Sequence, residues 1–278
     1  MNFSEFISMK IQNSHILVFR QFDYQILDIP GAKQFSELEL LVNDAYNTNY
    51  ELINMSENLT KVILSDNYNR DYSAEILFHK NLLKLQLELD CGRYCSWNCL
   101  ENLCLPFLQI LKAKTIPGEK LASLIENTGG YLNEISIEFS LPEEINNKKI
   151  IQAIYKKCPK LKYLKSIFLG ENITEFEKIL INCQYLDELF ISVDNLFEPD
   201  KLFEILTKSS PTSLYKFRIW NLSKPESLKL FFDNWKGRHP MSFLEFDFKN
   251  GRDFTSDLLD LIKKYKGERV IANYSFRR

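Results

Sequence analysis

One hydrophobic phrase recurs along the chain, apolar-x-x-apolar-x-apolar. It is found as "FSELEL" from Phe35, "LTKVIL" from Leu59, "LLKLQL" from Leu82, "LQILKA" from Leu108 and "LNEISI" from Leu132. It continues as "LKYLKS" from Leu161, "LDELFI" from Leu186, "LYKFRI" from Leu214 and "FLEFDF" from Phe243, with Ala113 and Ser166 as the weakest third positions. The anchors are 24, 23, 26, 24, 29, 25, 28 and 29 residues apart. A near-constant period of this size is the mark of a repeat architecture. Within each phrase the fourth and sixth residues alternate with polar neighbours, which predicts a short half-buried strand.

Between phrases the period changes. "KKIIQAIYKKCPKL", "ITEFEKILINCQYL", "PDKLFEILTKSSPTSL" and "ESLKLFFDNW" place apolar residues at i, i+3, i+4 and i+7, which predicts amphipathic helices. One unit of strand, loop and helix cannot bury both apolar faces alone, so neighbouring units must stack. The expected fold is an α/β solenoid, with a curved parallel sheet on the concave side and helices on the convex side. About nine repeats span 34–250. An N-terminal cap, or the remnant of a preceding segment, occupies 1–33, and 251–278 form a closing element. In that element "TSDLLDLIKKYKG" predicts a capped helix over 255–267, and "RVIANY" a final short strand over 269–274.

These phrases resemble leucine-rich repeats of the long helical kind. "CPKLKYL" (158–164) and "CQYLDEL" (183–189) resemble the helix-to-strand junctions of F-box/leucine-rich-repeat proteins, notably the divergent sets of some fungi. The resemblance covers roughly residues 30–270. It implies the substrate-receptor arm of a ubiquitin ligase, with a ubiquitination substrate as protein partner. Contact with the ligase adaptor would need an F-box, and residues 1–34 show neither a Leu-Pro-x-Glu-Ile opening nor tandem amphipathic helices. The Asn or Cys usual at the ninth repeat position is irregular here. Asp90 and Asp194 are polar, whereas Ile116 and Leu169 are not, so the loops after the apolar ones must satisfy their backbone otherwise.

Charge removes some function classes. Lys+Arg 35 against Asp+Glu 37 gives a formal charge of −2, which argues against bulk attraction to nucleic acid or an anionic membrane. No run of eighteen apolar residues and no secretory signal is read, so the expected setting is cytoplasmic or nuclear and disulfides are not expected.

"DCGRYCSWNCLENLC" carries four of the six cysteines, Cys91, Cys95, Cys99 and Cys104. A zinc or redox module is one reading. Against it stands the missing CxxC pair, although His79 is available as a further ligand. In the repeat frame Cys158 and Cys183 lie three residues before their anchors and Cys104 four before Leu108, which favours structural cysteine. No cofactor is expected. His15, His79 and His239 fall in unrelated contexts, and no HExxH, GxSxG or phosphate-binding loop is present, so the chain is not expected to be an enzyme.

A binding surface is easier to derive. If the first, fourth and sixth residues of a phrase point inward, the third, fifth and seventh form columns on the opposite face. Those columns bring Tyr163 and Lys165, Glu188 and Phe190, and Lys216, Arg218 and Trp220 together on three successive repeats. Aromatic and Arg clusters are the usual composition of interface hot spots. These seven residues are the candidate partner-binding set, and the alternative is that the rings cover their own repeats.

Overall fold

The computed structural model describes residues 16–20, 38–43, 59–66, 82–89, 97, 100–138, 144–194, 198–222, 227–248 and 256–276. The chain divides into two compact units, Met1–Leu132 and Asn133–Arg278. In the first unit, strands β1 (Ile16–Arg20), β2 (Leu38–Asn43), β3 (Leu59–Asp66), β4 (Lys84–Leu89) and β5 (Ile110–Lys114) pair in sequence order, every pair parallel. Helix α1 (Gly118–Glu126) follows β5.

In the second unit the order is again sequential and parallel. It runs through β6 (Glu134–Glu138), β7 (Tyr163–Phe168), β8 (Glu188–Val193), β9 (Lys216–Leu222), β10 (Phe243–Phe248) and β11 (Tyr274–Phe276). A helix lies in every connection: α2 (Glu144–Lys157), α3 (Ile173–Asn182), α4 (Pro199–Ser209), α5 (Ser227–Trp235) and α6 (Ser256–Gly267). Neighbouring parallel strands cannot be joined by a hairpin, so each pair needs such a crossover. The recurring phrase and sequential parallel pairing, with a helix in each crossover of the second unit, define a leucine-rich-repeat solenoid of the α/β class.

Four of the anchors are fixed by a backbone turn, in which the anchor N–H donates to the residue three before it: Leu108 to Leu105, Leu161 to Cys158, Leu186 to Cys183 and Leu214 to Pro211. The residue after the anchor then donates to the preceding repeat, as Lys162 does to Asn133, Asp187 to Lys162 and Tyr215 to Asp187. By the same bond, Ser242 to Tyr215, the anchor of the next repeat is Met241 and not Phe243. The expected register there is two residues out, so Glu245 stands opposite Arg218 instead of Lys216. A further phrase, Ile271-x-x-Tyr274-x-Phe276, continues the series, since Met241 bridges Ile271 and β10 pairs β11. The closing strand is therefore 274–276, slightly beyond the expected 269–274, whereas α6 matches the expected helix.

The core lies between the inner strand face and the helices. Leu164, Ser166 and Phe168 on β7, and Leu189, Ile191 and Val193 on β8, are buried, as are Phe176, Ile179 and Leu180 on α3 and Leu202, Phe203 and Leu206 on α4. Rings join strand to helix and one helix to the next. Phe217 meets Trp235 edge to face at 5.1 Å, and Phe203 stacks on Phe231 at 4.6 Å. Aromatic pairs at such distances add about 0.5–1.5 kcal/mol beyond area burial.

The apolar ninth position Leu169 is served from the preceding helix. Asn147 of α2 donates from Nδ2 to the Ile167 carbonyl at 2.7 Å, and its Oδ1 accepts from the Leu169 N–H at 3.4 Å. Asn172 donates to the same Oδ1 at 3.2 Å, and one repeat later Asp194 accepts from the Gly170 N–H at 3.0 Å. The loop obtains its bonds from neighbours, as the irregular ninth position requires.

Candidate partner-binding face

Cross-strand register builds the candidate site. Lys165 of β7, Phe190 of β8 and Arg218 of β9 are directly opposed in one row. Tyr163, Glu188 and Lys216 form the row before it, and Ile167, Ser192 and Trp220 the row after. All seven expected residues thus share the strand face away from the helices, because their inner neighbours alternate with them and are buried.

Within that face the groups engage one another. The Lys165 ammonium pairs with Glu138 and lies 4.8 Å from the Phe190 ring centroid. The Arg218 guanidinium lies 6.0 Å from the same ring, and the Trp220 ring packs on it at 4.4 Å with an interplanar angle of 72°. Phe190 consequently retains only 4% exposure. It occupies the expected position but is covered in the free protein, so it supports its neighbours and does not stand open as a sidechain anchor.

Glu188 reaches both cations of β9, 3.5 Å from Lys216 Nζ and 3.7 Å from Arg218. These separations exceed the 2.7–2.9 Å or so of a charge-assisted hydrogen bond, so the two cations remain within reach of a competing carboxylate. Their side chains are 35% and 38% exposed against 19% for Glu188. Burial, with Glu188 adding to it, holds the Tyr163 hydroxyl above the ordinary phenol range, so the group stays a neutral donor at pH 7. The face therefore offers a neutral phenol, an indole and two accessible cations set on a supported ring. That arrangement suits recognition; it brings no nucleophile together with a base.

The cysteine readings divide. Cys91, Cys95, Cys99 and His79 lie outside the described residues. Cys104 is exposed, and Leu105, fully buried, fills the repeat position three before Leu108. The expectation that Cys104 shares the site of Cys158 and Cys183 is corrected, because the turn to Leu108 closes onto Leu105. Cys158 and Cys183 do share that site. Both are buried, and the Cys183 thiol donates to the Cys158 carbonyl at 3.5 Å. Burial pushes both thiols up, that of Cys183 to about 12, which leaves them protonated and unreactive. Among the described residues no group of three or more His, Cys, Asp or Glu is arranged to hold a metal ion, and no helix is long and apolar enough to cross a membrane.

"WKGRHP" (235–240) has a structural assignment that its sequence did not reveal. Arg238 stacks over the Trp235 ring at 4.1 Å and donates to the carbonyls of Thr207, Ser210 and Pro211 at 2.8–3.1 Å. The Thr207 and Ser210 carbonyls lie at the C-terminal end of α4, where a cation is favoured, and the Pro211 carbonyl also accepts from the Leu214 N–H.

No family model matches the chain, and neither does any curated protein. Among solved structures it is similar to the leucine-rich repeat-containing protein LegL7 from Legionella pneumophila. The identity is 15% and the TM-score 0.42, over 87% of this chain and 92% of that one. It is also similar to a protein from Bacteroides fragilis, at 12% identity and a TM-score of 0.45, over 91% of this chain and 68% of that one.

Proposed function

We propose that the chain is a non-catalytic scaffold that binds a protein partner through the strand face carrying Tyr163, Lys165, Glu188, Phe190, Lys216, Arg218 and Trp220. One observation carries this reading: Trp220, Lys216 and Arg218 sit side by side on β9, supported from beneath by Phe190 and Glu188. Aromatic and Arg anchors on a preorganised support are what interface hot spots require. By resemblance, the scaffold is the substrate-receptor part of an F-box/leucine-rich-repeat ubiquitin-ligase component in a cytoplasmic or nuclear setting.

Affinity capture with the full chain tests the first part, run against Trp220→Ala and Arg218→Ala. A partner retained by the native chain and lost with both variants supports this face; retention by both moves the interface elsewhere. A pull-down for the ligase adaptor tests the second part. No adaptor contact would leave the scaffold and remove the ubiquitin role.

A further inference from the structure

The row that follows Lys165, Phe190 and Arg218 has a different make-up. Ile167 on β7, Ser192 on β8 and Trp220 on β9 are directly opposed, and none of the three is ionisable. All three are half-buried, whereas the inward neighbours Phe168 and Val193 are buried. Ile167 and Trp220 stand two strand spacings apart, about 9.6 Å, with the short Ser192 side chain between them. The Trp220 ring packs on Phe190, two residues before Ser192 on the same strand. Phe190 is thereby covered to 4% exposure, while Ser192 keeps part of its surface open. Two large side chains with a small one between them in register make a notch, and Ser192 is its floor. The charged groups of the preceding rows are paired within the face, Lys165 with Glu138 and both Lys216 and Arg218 with Glu188. What the notch itself offers is apolar contact.

We propose that this notch receives one large apolar side chain, aliphatic or aromatic, from an extended segment of the protein partner, and that Ser192 sets the size it accepts. The inference rests on the assignment of this face to partner binding and deepens it, because Ser192 and Ile167 lie outside the seven residues of that assignment. A segment laid along the row presents same-side residues about 6.6 Å apart, so only one enters between the two walls. Flanked by Ile167 and by an indole that Phe190 holds in place, the entering side chain loses its water on both sides, as an interface anchor does. A bulkier residue at 192 would occupy that volume from the sheet side.

Peptide selection on the full chain tests it. A random library of about ten residues, long enough to cross the three strands, is displayed on phage, and enriched peptides are measured by fluorescence anisotropy. Expected are peptides that share one large apolar position, at which Ala weakens binding about tenfold. Ser192→Leu is expected to weaken the same peptides about tenfold, and Ser192→Ala by no more than about twofold. Ile167→Ala widens the notch and should shift the preferred residue at that position towards a larger one, an independent reading should Ser192→Leu fold poorly. Peptides that lose affinity with Trp220→Ala but not with Ser192→Leu would overturn the notch and keep the face. A shared position that is charged or polar would overturn the apolar occupant. Peptides indifferent to Trp220→Ala as well, or no enriched peptide, would overturn the assignment of the face and the notch with it.

Discussion

Phe190 and Trp220 lie on adjacent strands one row apart, with their ring centroids 4.4 Å from each other. The contact separates two roles on one face, because Phe190 is covered while Trp220 lies over it. Phe190→Ala is expected to cost about 2–4 kcal/mol of stability, since it removes a ring beneath Lys165, Arg218 and Trp220. Trp220→Ala is expected to cost clearly less in stability. Urea denaturation measures both; equal midpoints would dismiss the supporting role of Phe190.

Arg238 bonds three carbonyls at the end of α4. Arg238→Met keeps the stem and removes the fork, with an expected loss of about 2–3 kcal/mol. Arg238→Lys should recover only part of it, because an ammonium cannot span the same three acceptors. Thermal melts of the three proteins rank them, and a Lys variant as stable as the native chain would contradict the geometry.

Asn147 is buried and bonds the backbone on both sides of Phe168 while accepting from Asn172. Asn147→Leu fits the volume but leaves a carbonyl and an amide without partners, a loss of about 2–3 kcal/mol. Faster hydrogen exchange at the Leu169 amide is the local readout; unchanged exchange would show that this bond does not protect the loop.

A Cβ on Gly129 would fall inside contact distance of the Pro106 carbonyl oxygen, which belongs to the backbone and cannot swing aside. Gly129→Ala is therefore expected to destabilise the first unit by about 1–3 kcal/mol. Gly237→Ala is a useful contrast. There the space is open and only its positive φ of 85° opposes a side chain. A Gly129→Ala midpoint equal to that of the native chain would rule out the close approach.

Tyr265 donates to Asp233 Oδ1 at 2.8 Å, and burial together with that bond pushes its hydroxyl up to about 12. A raised folded pKa favours the protonated phenol. Its stabilisation is whole below pH ~10 and is lost as pH rises towards about 12. Tyr265→Phe should flatten that part of the stability curve relative to the native chain. Parallel curves between pH ~9 and ~12 would show that the hydroxyl contributes nothing there.

The fold was legible because its signal is periodic. Anchors such as Leu161, Leu186 and Leu214 have the spacing and the apolar faces that stacking demands, and the seven residues at 163–220 fall on one sheet face for the same reason. Three features were not legible. The cover over Phe190 depends on where Lys165 and Trp220 lie across strands, which a repeat alignment does not report. Asn147 and Arg238 act on carbonyls 20 and 27–31 residues away, and nothing in their local sequence names those acceptors. Met241 lost its anchor position to Phe243 because "MSFLEF" offers two overlapping apolar frames, and only the Ser242 bond to Tyr215 chooses between them.

That choice bears on how such a chain tolerates length change. Strand side chains alternate with a period of two, so a displacement of two residues keeps outward positions outward and inward positions inward. A displacement of one would exchange the two faces. Insertions and deletions next to these strands should therefore survive in even steps, and the outward surface can be re-dealt two residues at a time while apolar residues still face the interior.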